Sequence, residues 1–397
     1  MKVIKRKYLE NLISIIGTPD IKIITGVRRS GKSKLLEEFQ KYVKKNIKDY
    51  NIIFINFNSL EYEKLQEYHE LNNYIESKYI DGKRNFVLID EVQMCEGFEK
   101  TINSLHASEK YDIYVTGSNA FLLSSDLATL FTGRTFEIEL FPFSFKEFIE
   151  YYQYTDLDEA FKKYIAEGGM AGSYLYDNEK DKYKYILDVY KTLIVRDISE
   201  KYKIRNEDLL DSLTNFMMDN ISNITSVRNI TNSLKRDDDT LNHKTIGSYL
   251  QYLCNAFLFY KVRRYDIQGK RYLESQDKYY LVDPTFKFAK LGKKNMNYGR
   301  SYENIVAIEL LRRGYDIYVG ELYNCEVDFI ALKRDEKIYI QVADSIDDDK
   351  TLEREVRPLL KIKDAYPKII IARTKHDDYS YEGIEIKDIA NWLANID

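Results

Sequence analysis

Short unbroken apolar runs alternate with stretches of helical spacing through the first third of the chain. The runs predict strands at Lys22–Thr25, Ile52–Phe57, Phe86–Asp90, Ile113–Gly117 and Thr135–Leu140. Between them apolar residues recur every three or four positions, as in Leu35, Leu36 and Phe39 after the first run. Alternating strand and helix predicts an α/β domain with a mostly parallel sheet over residues 1–143, closed by Pro142.

The pattern then changes. Ser144 followed by Glu147 fits a capping box, and the chain reads as helical to about Ile204. Gly168-Gly169-Met170-Ala171-Gly172 interrupts it, before a long helix from roughly Glu179 to Tyr202. Residues 144–205 are thus expected to be a helical lid or linker. Helix candidates follow at Leu209–Met218, Asn229–Leu234 and His243–Phe257. A ribbon comes next: Leu258–Tyr265, a turn at Gln268-Gly269, then Arg271–Leu273 and Tyr279–Val282. Helix, short helix, longer helix and hairpin is the order of a winged helix, here residues 206–292. After a polar linker, residues 299–397 form a last α/β unit with helices at Tyr302–Arg313 and Leu352–Asp364. Its strands are expected at Ile317–Val319, Val327–Leu332, Ile338–Val342 and Ile369–Ala372.

The 397 residues suffice for two or three domains, and 44% apolar residues supply ordinary cores. A mean hydropathy of −0.47 and 31% charged residues read as soluble. No apolar run approaches the ~20 residues of a membrane span. The Leu12–Ile16 stretch after the basic N-terminus is too short for a signal-peptide core, so a cytoplasmic location is expected. Three distant cysteines argue against a disulfide framework or a Cys-ligated zinc site. Net charge is −4, yet residues 226–300 hold 15 Lys/Arg against 7 Asp/Glu, a local +8. A basic block in an acidic chain points to an anionic partner.

Candidate chemistry concentrates where the first strand ends. Gly26-Val27-Arg28-Arg29-Ser30-Gly31-Lys32-Ser33 is G-x-x-x-x-G-K-S between a strand and a helix. Backbone N–H groups of such a loop cradle a polyphosphate; Lys32 reaches the β/γ-phosphates and the Ser33 hydroxyl binds Mg²⁺. The helix starting near Gly31 adds its positive end. About 58 residues later the Phe86–Ile89 run ends in Asp90-Glu91. Asp90 is placed to hold Mg²⁺, directly or through water, and Glu91 to polarise the attacking water as general base. Asn119 or Ser118, after the next strand, can contact the γ-phosphate or orient that water; a helix cap is the alternative for Asn119. Arg134 precedes the fifth strand. It can stabilise charge on the γ-phosphate in cis or from a neighbouring subunit, which would make the chain a homo-oligomer, or it is a plain surface arginine.

These residues resemble a known family. Gly26–Ser33, Leu88-Ile89-Asp90-Glu91-Val92-Gln93, Thr116-Gly117-Ser118-Asn119 and Leu140–Phe148 look like the prokaryotic AAA-type ATPases. Arg196-Asp197-Ile198, the run Tyr249–Leu258 through Lys278–Asp283 and Tyr339-Ile340-Gln341-Val342-Ala343 resemble the group with a C-terminal domain of unknown function. The resemblance covers nearly the whole chain. It implies a P-loop core, a winged-helix segment and a restriction-endonuclease-like C-terminal fold, without a settled biological role.

A winged helix would present Lys244 at the start of its recognition helix, and Arg263, Arg264, Lys270 and Arg271 along its wing, to nucleic-acid phosphates. Many winged helices instead bind proteins, and Asp237-Asp238-Asp239 nearby opposes DNA. In the last domain Glu303 and Asp328 fit the first two acids of a PD-(D/E)xK nuclease. Gln341 stands where the third acid belongs and Ala343 where the lysine belongs, so a nuclease fold without full nuclease chemistry is expected. The leading reading is an ATPase, using ATP and Mg²⁺, that couples nucleotide state to engagement of DNA or RNA. The alternatives are a slow ATP-driven switch with a protein partner and a metal-dependent nuclease.

Overall fold

Five parallel strands carry the first third of the chain: β1 (Ile21–Thr25), β2 (Tyr50–Asn56), β3 (Arg84–Asp90), β4 (Tyr111–Thr116) and β5 (Thr135–Glu139). In the computed structural model their order is β2-β3-β4-β1-β5. Residues 4–117, 131, 133–235, 241–273, 276–292, 297–323 and 325–395 are described. The strands match those expected to within a few residues; β1, β3 and β4 are buried almost throughout, as central strands of a parallel sheet are, whereas the edge strand β5 is exposed over Thr135–Glu137.

Alternate side chains of this sheet enter two cores. Ile24, Phe86, Leu88, Tyr114 and Ile138 pack with Leu12 of α1 (Lys7–Ser14) and with Leu35, Leu36 and Phe39 of α2 (Lys32–Asn46). Ile21, Ile23, Val87, Ile89 and Val115 pack with Leu71 of α3 (Tyr68–Ser77) and Ile102 of α4 (Phe98–Ala107). One position breaks the apolar run of β1: Lys22 is fully buried. Its ammonium donates to Asp112 Oδ1 and to the Thr18 carbonyl, both at 2.6 Å, which ties β1 to β4 at the end where these strands begin.

The chain divides into two units. The first unites Met1–Pro142 with Thr192–Lys203 and Asn255–Phe257. The second holds Phe143–Lys191, Ile204–Cys254 and Leu258–Asp397. The helix expected from Glu179 to Tyr202 is α-helical over Glu179–Thr192 and a π-helix over Leu193–Glu200. Such wide turns are rare and concentrate at functional sites.

In the second unit the capping box at Ser144 forms, with Glu147 N–H donating to Ser144 Oγ and Ser144 N–H to Glu147 Oε2. Helices span Glu207–Asp219, Val227–Leu234 and His243–Asn255. The ribbon after them splits. β6 (Phe259–Val262) pairs with β9 (Lys278–Leu281), whereas β7 (Arg264–Asp266) and β8 (Arg271–Tyr272) form a hairpin that lies along β10 (Asp316–Leu322). That hairpin extends a sheet built from β10, β11 (Cys325–Lys333), β12 (Glu336–Ala343), β13 (Lys368–Ala372) and the pair β14 (Tyr379–Tyr381) and β15 (Ile384–Asp388). The stretch expected as a separate wing therefore shares its backbone hydrogen bonds with the last α/β segment, a pairing no local pattern announces. Helices Tyr298–Arg312 and Asp349–Leu360 pack on this sheet.

Candidate nucleotide-binding site

The loop after β1 is shaped by two glycines. Gly26 has φ +130°, and a Cβ there would lie 2.2 Å from the Leu140 carbonyl oxygen. Gly31 has φ +105° and stands as the N-cap of α2, with no side chain capping the helix. Its first-turn N–H groups are thus left for an anion, at the positive end of the helix. Arg6 fastens the loop from outside: its guanidinium donates to the Ser30 carbonyl at 3.0 Å and to the Phe141 carbonyl at 2.8 Å.

Lys32 is buried and folds back over the loop, donating to the carbonyls of Gly26 (2.8 Å) and Val27 (3.2 Å). Burial lowers the pKa of its ammonium, against the pull of the Glu91, Asp197 and Asp90 carboxylates. The Ser33 hydroxyl lies 3.1 Å from Asp90 Oδ1, so α2 and the end of β3 meet there. β4 runs between β1 and β3, and its last residue, Thr116, donates its hydroxyl to the same Asp90 oxygen at 2.5 Å. Thr116 Oγ1 in turn accepts the Glu91 N–H at 3.1 Å. Burial pushes the Asp90 carboxyl up, while the Thr116 and Ser33 hydroxyls hold it down. Glu91 is half-buried, at φ +58°, and its Oε2 accepts from Gln93 Nε2 at 2.5 Å.

Among the described residues no group of three His, Cys, Asp or Glu side chains can hold a metal alone. One carboxylate and one hydroxyl in contact suit Mg²⁺, which keeps waters and takes phosphate oxygens as further ligands.

Asn119 lies outside the described residues. Arg134 is described, and the strand register moves it away from its expected cis position. Thr135 pairs with Ile21 and Glu139 with Thr25, so Arg134 stands where the parallel strands begin. The P-loop stands where they end, roughly 20 Å away at ~3.3 Å per residue. Arg134 therefore does not reach the γ-phosphate position of its own chain. Arg28 does gain a partner, 3.2 Å from Asp197 on the π-helix. The Asp197 carboxyl is buried and raised by that burial, with Arg28 and Lys32 opposing. Thr116, Gln93, Asp197 and Arg6 are the site residues that residue-by-residue reading did not single out. Thr116, Gln93 and Asp197 stood in strings shared with the resembled family.

The other predicted residues fall in the second unit. Lys244, Arg263, Lys270 and Arg271 are exposed, and Arg271 lies 3.5 Å from Asp266. Arg264 is not presented outward: it pairs with Glu321 at 2.6 Å and donates to Gln276 at 2.9 Å. A cleft of about 320 Å³ is lined by Tyr260, Lys261, Arg263, Tyr272 and Tyr318 among others. Glu303, Asp328 and Gln341 are all buried, and Glu303 and Asp328 meet at the ammonium of Lys278. Burial, and next the Asp328 charge, push the Glu303 carboxyl up to about 8 against the pull of Lys278.

A parallel sheet ordered in this way, with G-x-x-x-x-G-K-S after β1 and Asp-Glu after β3, defines an AAA-type P-loop ATPase domain, and residues 18–149 match the AAA domain family. Residues 158–297 match a domain of unknown function (DUF8612). An uncharacterized protein of Haemophilus influenzae is 38% identical over 98% of this chain and 98% of its own length. The uncharacterized protein MJ1544 of Methanocaldococcus jannaschii is 30% identical over 96% of this chain and 87% of its own. The chain belongs to the family of these two relatives. Among solved structures, the Walker-type ATPase paby2304 of Pyrococcus abyssi shares the fold at a TM-score of 0.51 and 17% identity, covering 72% of this chain and 95% of that one.

Proposed function

We propose that this chain is a Mg²⁺-dependent ATPase whose nucleotide state governs engagement of nucleic acid. The observation that carries the hydrolytic part is the hydrogen-bonded series Ser33–Asp90–Thr116–Glu91, which gathers α2, β3 and β4 at one point. In this reading the N–H groups of Gly26–Ser33 wrap the triphosphate and Lys32 leaves the loop carbonyls for the β/γ-phosphates. Ser33 and Asp90 hold Mg²⁺, and Glu91, aimed by Gln93, takes the proton of the attacking water. Asn119 is a further candidate for orienting that water, and Arg134 for acting on the site of a second copy in a homo-oligomer.

The nucleic-acid part rests on the second unit, read as a winged helix joined to a restriction-endonuclease-like segment. Its support is the exposed Lys244, Arg263, Lys270 and Arg271, and tyrosine rings beside Arg263 on which unpaired bases can stack. The test is phosphate release with and without single-stranded or duplex nucleic acid, together with binding at rising salt. Stimulated release and salt-dependent binding are expected, and Arg263→Ala should lower the slope of log K against log salt by about 1. Binding indifferent to salt would remove this half of the proposal.

One contact favours a second reading, an ATP-driven switch with a protein partner. Asp197 holds Arg28 and sits near Lys32, so arriving phosphates compete with a carboxylate for both cations. Release of Asp197 would report nucleotide to the π-helix. Asp197→Asn is then expected to tighten ATP binding by about 1 kcal/mol, roughly fivefold, in a calorimetric titration. Weaker binding would mean that Asp197 only supports the loop.

A further inference from the structure

The acidic residues of the second unit meet at a cation the chain itself supplies. Lys278 opens β9, and its side chain is 3% exposed. Its Nζ lies 2.7 Å from Glu303 Oε1, 2.6 Å from Glu326 Oε1 and 3.4 Å from Asp328 Oδ1. The ammonium donates to Glu303 on helix Tyr298–Arg312 and to Asp328 on strand β11, and the Glu326 carboxylate of β11 completes the set as an ion pair.

The surrounding contacts leave little for a metal. Tyr280, two residues along β9 and on the same face, donates its hydroxyl to the same Glu303 oxygen at 2.7 Å. Asp328 Oδ2 accepts the Val342 N–H at 2.9 Å. Gln341, at the place of a third acid, accepts the Asp328 N–H at 3.3 Å and donates to Glu355 at 3.0 Å. Its amide is thus spent on the sheet and on helix Asp349–Leu360. Mg²⁺ needs oxygens at ~2.0–2.1 Å in octahedral array, and this set has an ammonium at its focus instead.

We infer that Lys278 is the resident cation of the centre formed by Glu303, Glu326 and Asp328, occupying the place of a divalent metal, so that this centre neither binds Mn²⁺ or Mg²⁺ nor cuts nucleic acid. The lysine absent at Ala343 is not restored as a catalytic group; a lysine from another strand neutralises the acids and pins β9 to the helix and to β11. The domain is left as a binding or structural module.

Mn²⁺ alone is the probe, followed by electron paramagnetic resonance on the nucleotide-free full chain carrying Asp90→Asn to silence the P-loop. That protein and the same protein with Asp328→Asn should bind Mn²⁺ equally. Adding Lys278→Ala should create one Mn²⁺ equivalent, lost again when Asp328→Asn is combined with it. Plasmid incubated with Mn²⁺ and wild-type protein should stay intact. Mn²⁺ bound by the lysine-containing protein and lost with Asp328→Asn would overturn the inference. So would plasmid cleavage that falls in Asp328→Asn or Lys278→Ala, which would make Lys278 a catalytic lysine, and so would a folded Lys278→Ala protein that takes up no Mn²⁺. If circular dichroism shows Lys278→Ala unfolded, the comparison with Asp328→Asn and the plasmid assay decide.

Discussion

Glu91→Gln should slow ATP turnover by about 10²–10⁴-fold while changing nucleotide affinity by no more than about threefold. The exchange keeps the shape and hydrogen-bonding reach of the side chain and removes its basicity. The backbone N–H of residue 91 remains held by Thr116 and its side chain beside Gln93, so the loop has no reason to move. Lys32→Ala is the contrast, since it withdraws a cation that binds ground state and transition state alike. Phosphate release and a nucleotide titration on both variants separate the two roles. Equal turnover in wild type and Glu91→Gln would remove the general-base assignment and return the search to Asn119.

The second large effect is expected at Gly26. A methyl group there would lie 2.2 Å from the Leu140 carbonyl oxygen, which belongs to backbone and cannot rotate away. Leu140 is itself fixed by its N–H bond to the Thr25 carbonyl at 2.9 Å. An L-residue at φ +130° adds strain of about 1–3 kcal/mol. Gly26→Ala must therefore push the loop off the end of β5, lowering the melting temperature and weakening ATP binding by at least about tenfold. Gly133→Ala is the internal control: φ is +71° there too, but nothing lies within 4 Å of the new methyl group. Melting curves with and without Mg-ATP should show the control losing stability alone and Gly26→Ala losing both. Matching curves for the two variants would mean that close packing against Leu140 does not shape the loop.

The local chemistry was legible wherever a few adjacent residues carried it. The apolar runs placed the central strands of the first sheet, since a strand buried on both faces has no polar alternative, and the edge strand β5 was marked by the alternation of Phe136 and Ile138 with polar residues. The glycine spacing marked the P-loop, and Asp90-Glu91 at a strand end marked its acidic partner. Arg134 shows where such reading stops. Sequence placed it just before a strand, and only the parallel register with β1 put it at the end of the sheet away from the P-loop. Arg264 looked equal to Arg263 by composition, yet Glu321, more than fifty residues on, claims it.

The same limit divides the molecule as a whole. By itself the sequence determined the AAA core and its phosphate loop, because each depends on neighbours a few residues apart. Tertiary structure alone decided that β4 lies between β1 and β3, so that Thr116 joins Asp90 to Glu91. It also decided that Asp197 reaches Arg28 and that Lys278 enters the acids of the last sheet. These pairings arise from strand order and helix placement across long sequence separations. A charged side chain's partner is set by which buried elements meet, and no local pattern encodes that meeting.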